Sequence, residues 1–214
     1  MSGLLRTGCP DKTGQGVRLS QDWVSGLKEN RCPESQEYAF RVRQMAWWRT
    51  PTIPATALVI GNQLIDDPRF ELSLKSLIGT LPIVLGDPGV LSSTQRERYK
   101  TWGEWLRKME EKHGFMSFRQ DLPGFGEPAE GCWDGFQRIN TDSRSGGLVG
   151  VFRNNSKVNQ MTVTLRYIDP GAIYEVSRAP DGDKVIRAKG EELIEVGFPV
   201  RFTKTSDGEV FEIS

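Results

Sequence analysis

The periodicity of apolar residues changes once along this chain, near residue 130, and that change limits the folds open to it. Before that point apolar side chains recur at helical spacing and gather with tryptophan. After it come short alternating stretches separated by Gly-containing turns. A chain of 214 residues has room for one large domain or two small ones. The expectation is α/β followed by all-β.

In the first part, Gly3, Gly8, Gly14 and Gly16 suit a loop. Pro33, with Glu34 and Glu37 behind it, marks a helix start, and Tyr38, Val42 and Met45 share one face. Trp47 and Trp48 close that helix before Pro51 and Pro54. Pro68 opens a shorter helix through Phe70, Leu72, Leu74 and Leu77, stopped by Gly79. Leu81 to Leu85, between Gly79 and Gly86, reads as a buried strand. The clearest element spans Ser93–His113. Ser92 and Gln95 form a capping box, Tyr99, Trp102, Leu106 and Met109 share one face, and Gly114 ends the helix.

Residues 121–132, rich in Gly and Pro, read as an ordered linker. Seven strands are expected beyond it: Phe136–Ile139, Leu148–Arg153, Met161–Tyr167, Ala172–Ser177, Lys184–Ala188, Pro199–Thr203 and Val210–Ile213. Asp181-Gly182 and Asp207-Gly208 are hairpin signals, and Glu191–Val196 reads as a short helix. Two antiparallel layers are the simplest packing.

Composition narrows the function. Twenty-eight basic residues balance 28 acidic ones, which gives no electrostatic reason to expect nucleic acid. No apolar run approaches the roughly 20 residues of a bilayer span, so no membrane partner is expected. Met1–Gly16 has no apolar h-region, which favours a cytoplasmic chain. Cys9, Cys32 and Cys132 fit neither a zinc site nor a disulfide framework, and His113 is the one histidine. No phosphate loop or dinucleotide fingerprint is present, so no cofactor and no metal are expected.

The carboxylates offer several candidates. Asp22 has Trp23 beside it, an aromatic that can desolvate a carboxyl group and stack on a sugar; a helix cap is the plainer role. Asp66 and Asp67 read as a cap before Pro68, and Asp134 as a turn carboxylate. Trp47 and Trp48 point about 100° apart on a helix, so at most one faces a pocket. Tyr99, Trp102 and Trp105 read as packing residues.

Several of these pieces, in their order, resemble melibiase-type (α-galactosidase-like) glycoside hydrolases. Leu81-Pro82-Ile83-Val84-Leu85-Gly86-Asp87, Leu91-Ser92 and the helix Arg98–Met109 resemble the end of their catalytic barrel. Trp133-Asp134-Gly135-Phe136-Gln137-Arg138-Ile139-Asn140 and Gly146-Gly147-Leu148-Val149-Gly150-Val151-Phe152-Arg153 resemble the start of their C-terminal β-sandwich. Ala179-Pro180-Asp181-Gly182, Gly190-Glu191-Glu192-Leu193 and Gly197-Phe198 resemble its later strands.

The resemblance implies a C-terminal barrel part over 1–120, the linker 121–132 and an antiparallel β-sandwich over 133–214. It implies retaining hydrolysis of an α-linked sugar by two aspartates, with Asp22 in Ser20-Gln21-Asp22 matching the acid/base position. Gln21 departs from a plain Ser-Asp pattern. Trp23, Trp47 and Trp48 are the candidate sugar-binding residues. The nucleophile strand is expected to lie outside this chain. A barrel takes about 250 residues, so the partners implied are a carbohydrate and either the missing N-terminal barrel part or another copy of the chain. The competing reading is a non-catalytic carbohydrate-binding or structural β-sandwich module.

Overall fold

A computed structural model describes residues 17–19, 35–60, 69–82 and 87–214. The chain divides into two compact units, Met1–Tyr99 and Lys100–Ser214.

In the first unit, strand β1 (Val17–Leu19) runs parallel to β2 (Leu58–Ile60), with Val17 opposite Leu58. Helix α1 (Ser35–Arg49) and helix α2 (Phe70–Leu77) accompany them. Val42, Met45 and Ala46 of α1 pack with Ile53, Leu58 and Leu77. Arg43 is buried, and its Nη1 donates to Ser76 Oγ at 2.8 Å. That hydroxyl donates in turn to Leu72 O at 2.8 Å, so the polar group on this apolar face is satisfied.

Of the expected strand Leu81–Leu85, Leu81 donates its N–H to Leu58 O at 3.2 Å, and residues 83–86 lie outside the described residues. Neither β1 nor β2 was expected. Each has three residues, too few to establish an alternation.

Helix α3 spans Ser93–His113, as expected. Gln95 N donates to Ser92 Oγ at 3.2 Å, and Ser92 N donates to Gln95 Oε1 at 3.1 Å, which closes the capping box. Gly114 ends the helix at φ +58°.

The second unit is mostly antiparallel sheet. Strands β3 (Gln120–Asp121), β4 (Trp133–Ile139), β5 (Gly147–Asn154), β7 (Ile173–Arg178), β8 (Asp183–Lys189) and β10 (Ser206–Ile213) form a six-stranded sheet. Its order is β3-β4-β5-β10-β7-β8. Strands β6 (Gln160–Val163) and β9 (Phe198–Arg201) pair as a second, two-stranded layer. A short helix, α4 (Gly190–Glu195), lies between β8 and β9 in the chain.

All seven expected strands are present, but the layers are unequal. Met161–Tyr167 gives a ladder only through Val163. Beyond it, Leu165 N donates to Leu193 O at 3.0 Å and Tyr167 adopts φ +65°. Leu165 and Ile168 still enter the core, so the apolar spacing reports burial there and not a strand. Asp181-Gly182 joins β7 to β8, with Gly182 at φ +79°. Asp207-Gly208 is no hairpin turn. Both residues lie inside β10, opposite Arg153 and Phe152.

The core between the layers gathers Trp133, Val149, Val151, Val176 and Phe211 from the large sheet with Val163, Phe198 and Val200 from the small one. Residues 121–132 add Leu122 and Phe125 to that core.

Strands β4 and β5 are buried along their whole length, on both faces. On the face turned away from the two-stranded layer, Phe136 stands over Gly150, its partner across the ladder. A Cβ at Gly150 would come within 2.5 Å of the Phe136 ring, so the ring needs glycine there.

Candidate functional site

Asp22 and Trp23 lie outside the described residues, as do Asp66 and Asp67. Trp47 and Trp48 fall in the last turn of α1. Trp47 is half-buried and Trp48 is 50% exposed, and neither belongs to the apolar cluster that α1 shares with α2. Tyr99 packs against Phe70 with ring centres 4.5 Å apart and the rings tilted by 32°. Trp102 and Trp105 are buried and meet edge to face at 5.6 Å. They pack, as their helical spacing predicts.

Asp134 corrects the reading as a turn carboxylate. It sits within β4, 2% exposed, and accepts a 2.7 Å hydrogen bond from Asn154 Nδ2. A carboxylate so enclosed serves the fold and cannot reach a sugar hydroxyl.

Around it the sheet holds buried charge. The Arg138 guanidinium donates from Nε to Phe118 O at 2.8 Å and from Nη2 to Met116 O, and lies 4.8 Å from the centre of the Phe115 ring. Burial, with the Arg119 charge nearby, pushes its pKa down to about 9, against a smaller upward pull from Glu110. Even so it stays cationic at neutral pH. Burial also lowers the Arg119 pKa, while Asp121, 3.3 Å away, and Asp134 oppose that shift. Arg153 is buried and donates to Ser156 O at 2.6 and 3.0 Å, Phe202 O at 3.2 Å and Lys204 O at 2.9 Å.

The sequence reading missed these arginines as functional parts of the fold. The one signal is position: Arg138 and Arg153 stand in stretches rich in apolar residues, beside Ile139 and Phe152.

His113 is buried at the end of α3, with Nδ1 3.3 Å from Ser145 Oγ. Its Nε2 has no hydrogen-bond partner among the described residues. Burial first, then the Lys112 charge, lowers its pKa, so it is neutral at pH 7. Among the described residues no three His, Cys, Asp or Glu side chains gather as metal ligands, and no helix is long and apolar enough to cross a membrane.

The α-galactosidase AgaB of Geobacillus stearothermophilus aligns with 90% of this chain at a TM-score of 0.65 and 16% identity. The fold resembles that of the GH36 α-galactosidases. AgaA from the same organism, a variant solved with stachyose, aligns with 82% of the chain at a TM-score of 0.66 and 16% identity. The α-galactosidase of Lactobacillus brevis aligns with 82% at a TM-score of 0.62 and 12% identity. The chain spans about a quarter of each of these proteins (25%, 24% and 25%), matching their C-terminal part. No family model and no curated protein matches the sequence.

Proposed function

We propose that this chain supplies the C-terminal part of a retaining glycoside hydrolase acting on α-linked sugars, an α-galactosidase-like enzyme. The likeness to GH36 α-galactosidases over 82–90% of the chain carries this reading. Two of those neighbours were solved with raffinose and stachyose. Residues 1–120 are then the end of a (β/α) barrel, and 133–214 its C-terminal β-sandwich. The parallel pairing of β1 with β2, beside α1 and α2, supports the barrel assignment.

In this reading Asp22 is the acid/base. It protonates the leaving oxygen, then takes a proton from the water that releases the sugar. The nucleophile is a second carboxylate, held about 5–5.5 Å away as retention requires, and another polypeptide segment provides it. Trp23 and one of Trp47 and Trp48 stack on the sugar ring.

The test is release of nitrophenol from a panel of nitrophenyl glycosides. Purified 1–214 is assayed alone and mixed with a separately expressed N-terminal barrel segment from a GH36 α-galactosidase. Activity on the α-galactoside that Asp22→Asn abolishes supports the reading. Folded protein that releases no sugar in either assay favours the non-catalytic module, for which the separate core of Lys100–Ser214 argues.

A further inference from the structure

We propose that His113 and the turn between β4 and β5 (residues 140–146) form an acid-operated latch: the neutral imidazole holds the turn shut against the end of α3, and a proton on the ring lets the turn swing out. Such a device acts through motion and needs no catalytic step, so it stands apart from glycoside hydrolysis.

The imidazole carries a demand that the closed turn leaves unmet. It is 3% exposed, with Nδ1 3.3 Å from Ser145 Oγ. Nε2 is buried with no hydrogen-bond partner among the described residues. The turn backbone lies directly on the ring. A Cβ at Gly146 would come within 3.1 Å of Cε1, the carbon between the two nitrogens, and would also meet Ile213 O. With its proton on Nδ1, the neutral ring donates to Ser145 and leaves a bare lone pair at Nε2. The other tautomer would bury an N–H with no acceptor, so the first is the resting form.

That arrangement fails on protonation. The imidazolium presents an N–H at both nitrogens, and a buried charge without a partner costs far more than a buried lone pair. The surrounding charges do not rescue it. Lys112 of α3 repels it, and Glu212 of β10 attracts it but already holds Lys112 at 3.0 Å. Asp142 and Arg144 of the turn are exposed. Burial is the largest influence on the ring and lowers its pKa, as Lys112 does, while Glu212 and the hydrogen bond to Ser145 pull the other way.

The turn can move as one piece. Asn140 Oδ1 accepts from Asp142 N at 3.0 Å and Ser143 N at 3.3 Å, and Arg144 N donates to Asn140 O at 2.9 Å. Asn140 Nδ2 donates to Gly114 O at 3.3 Å and anchors the first end. Arg144, at φ +53°, stores strain in the closed form. Gly146 at φ +116° and Gly147 at φ +152° supply a hinge at the other end. Outward motion withdraws Arg144 O from the Tyr174 hydroxyl, which binds it at 2.7 Å and holds Asp169 N at 2.9 Å. One proton on His113 therefore loosens two neighbouring loops.

The test is hydrogen exchange of the ¹⁵N-labelled full chain at pH 7.5 and pH 5.5, read as protection factors so that the intrinsic pH dependence of exchange is divided out. The amides of Arg144 and Asp169 report on the latch, and those of Val149 and Val151, in the central ladder, on the unit as a whole. We expect protection at Arg144 and Asp169 to lie below that of the two valines and to fall about fivefold on acidification, because the closed ring binds the proton less readily than the open one. It should not respond to urea below the unfolding transition, since a swinging turn exposes little new surface, whereas the valines should respond. His113→Gln takes no proton and removes the pH response. Should that variant fail to fold, Ser145→Ala keeps the test valid, because Ser145 is exposed; it cuts the tie from Oγ to the ring and lowers protection at Arg144 at pH 7.5. The proposal is overturned by equal protection at the two pH values, by a fall that persists in His113→Gln, by Arg144 and Asp169 sharing the urea dependence of the valines, or by wild-type protection in Ser145→Ala.

Discussion

Asp134 and Asn154 face one another from neighbouring strands, both buried, with the amide Nδ2 2.7 Å from the carboxylate. Asn154 also fastens the strand end through its backbone, which donates to Cys132 O at 3.0 Å. Truncating Asn154 to Ala leaves a buried carboxylate short of a donor. Bonds to charged groups contribute roughly 1.5–3 kcal/mol, so urea denaturation of Asn154→Ala should show a loss in that range. An unchanged midpoint would mean that water replaces the amide.

Tyr174 joins two loops through one hydroxyl. It donates to Arg144 O at 2.7 Å and accepts from Asp169 N at 2.9 Å. Tyr174→Phe keeps the ring in the core and removes both bonds. The expected loss is about 1–3 kcal/mol, with faster amide exchange at Asp169. Exchange at Asp169 as slow as in the wild type would contradict this.

The contact of Phe136 with Gly150 predicts a compensating pair. Gly150→Ala alone overpacks the site and should cost roughly 1–3 kcal/mol. Adding Phe136→Leu makes room, so the double variant should be more stable than the sum of the two single losses. Simple additivity in thermal melts would show that the ring already moves aside.

His113 sets a pH dependence. Its folded pKa lies below the ordinary 6.5, so the unfolded chain binds the proton more readily. The stability that the neutral ring contributes is present above about pH 6.5 and is lost as the pH falls below it. The denaturation midpoint should therefore drop between pH 8 and pH 5.5, and His113→Gln should flatten that part of the profile. An equal drop in the variant would assign the effect to other groups.

What the sequence made legible follows from range. Helix α3 depends on contacts three or four residues apart, and Ser92, Gln95 and Gly114 mark both ends. Asp181-Gly182 works locally too, because β7 and β8 pair directly across it. Asp207-Gly208 carries the same preference, but β10 is held by β5, more than 50 residues earlier, and that ladder overrides the turn. Charge burial was also out of reach. Arg138 and Arg153 look like surface residues until the partners of their strands are known. For the candidate site, Asp22 and Trp23 fall outside the described residues, while Trp47 and Trp48 differ in exposure as their spacing on a helix requires.

Burial of β4 and β5 on both faces bears on how such a segment can travel between genes. The outer face, with Phe136, Arg138 and Phe152, depends on residues 113–122, which lie before the first long strand. A recombination break at Trp133 would deliver a sheet with one side stripped and a cationic group stranded in it. The transferable cassette therefore begins well upstream, within the long helix. Any fusion that inherits the strands without that leading stretch should be selected against through insolubility rather than through loss of chemistry.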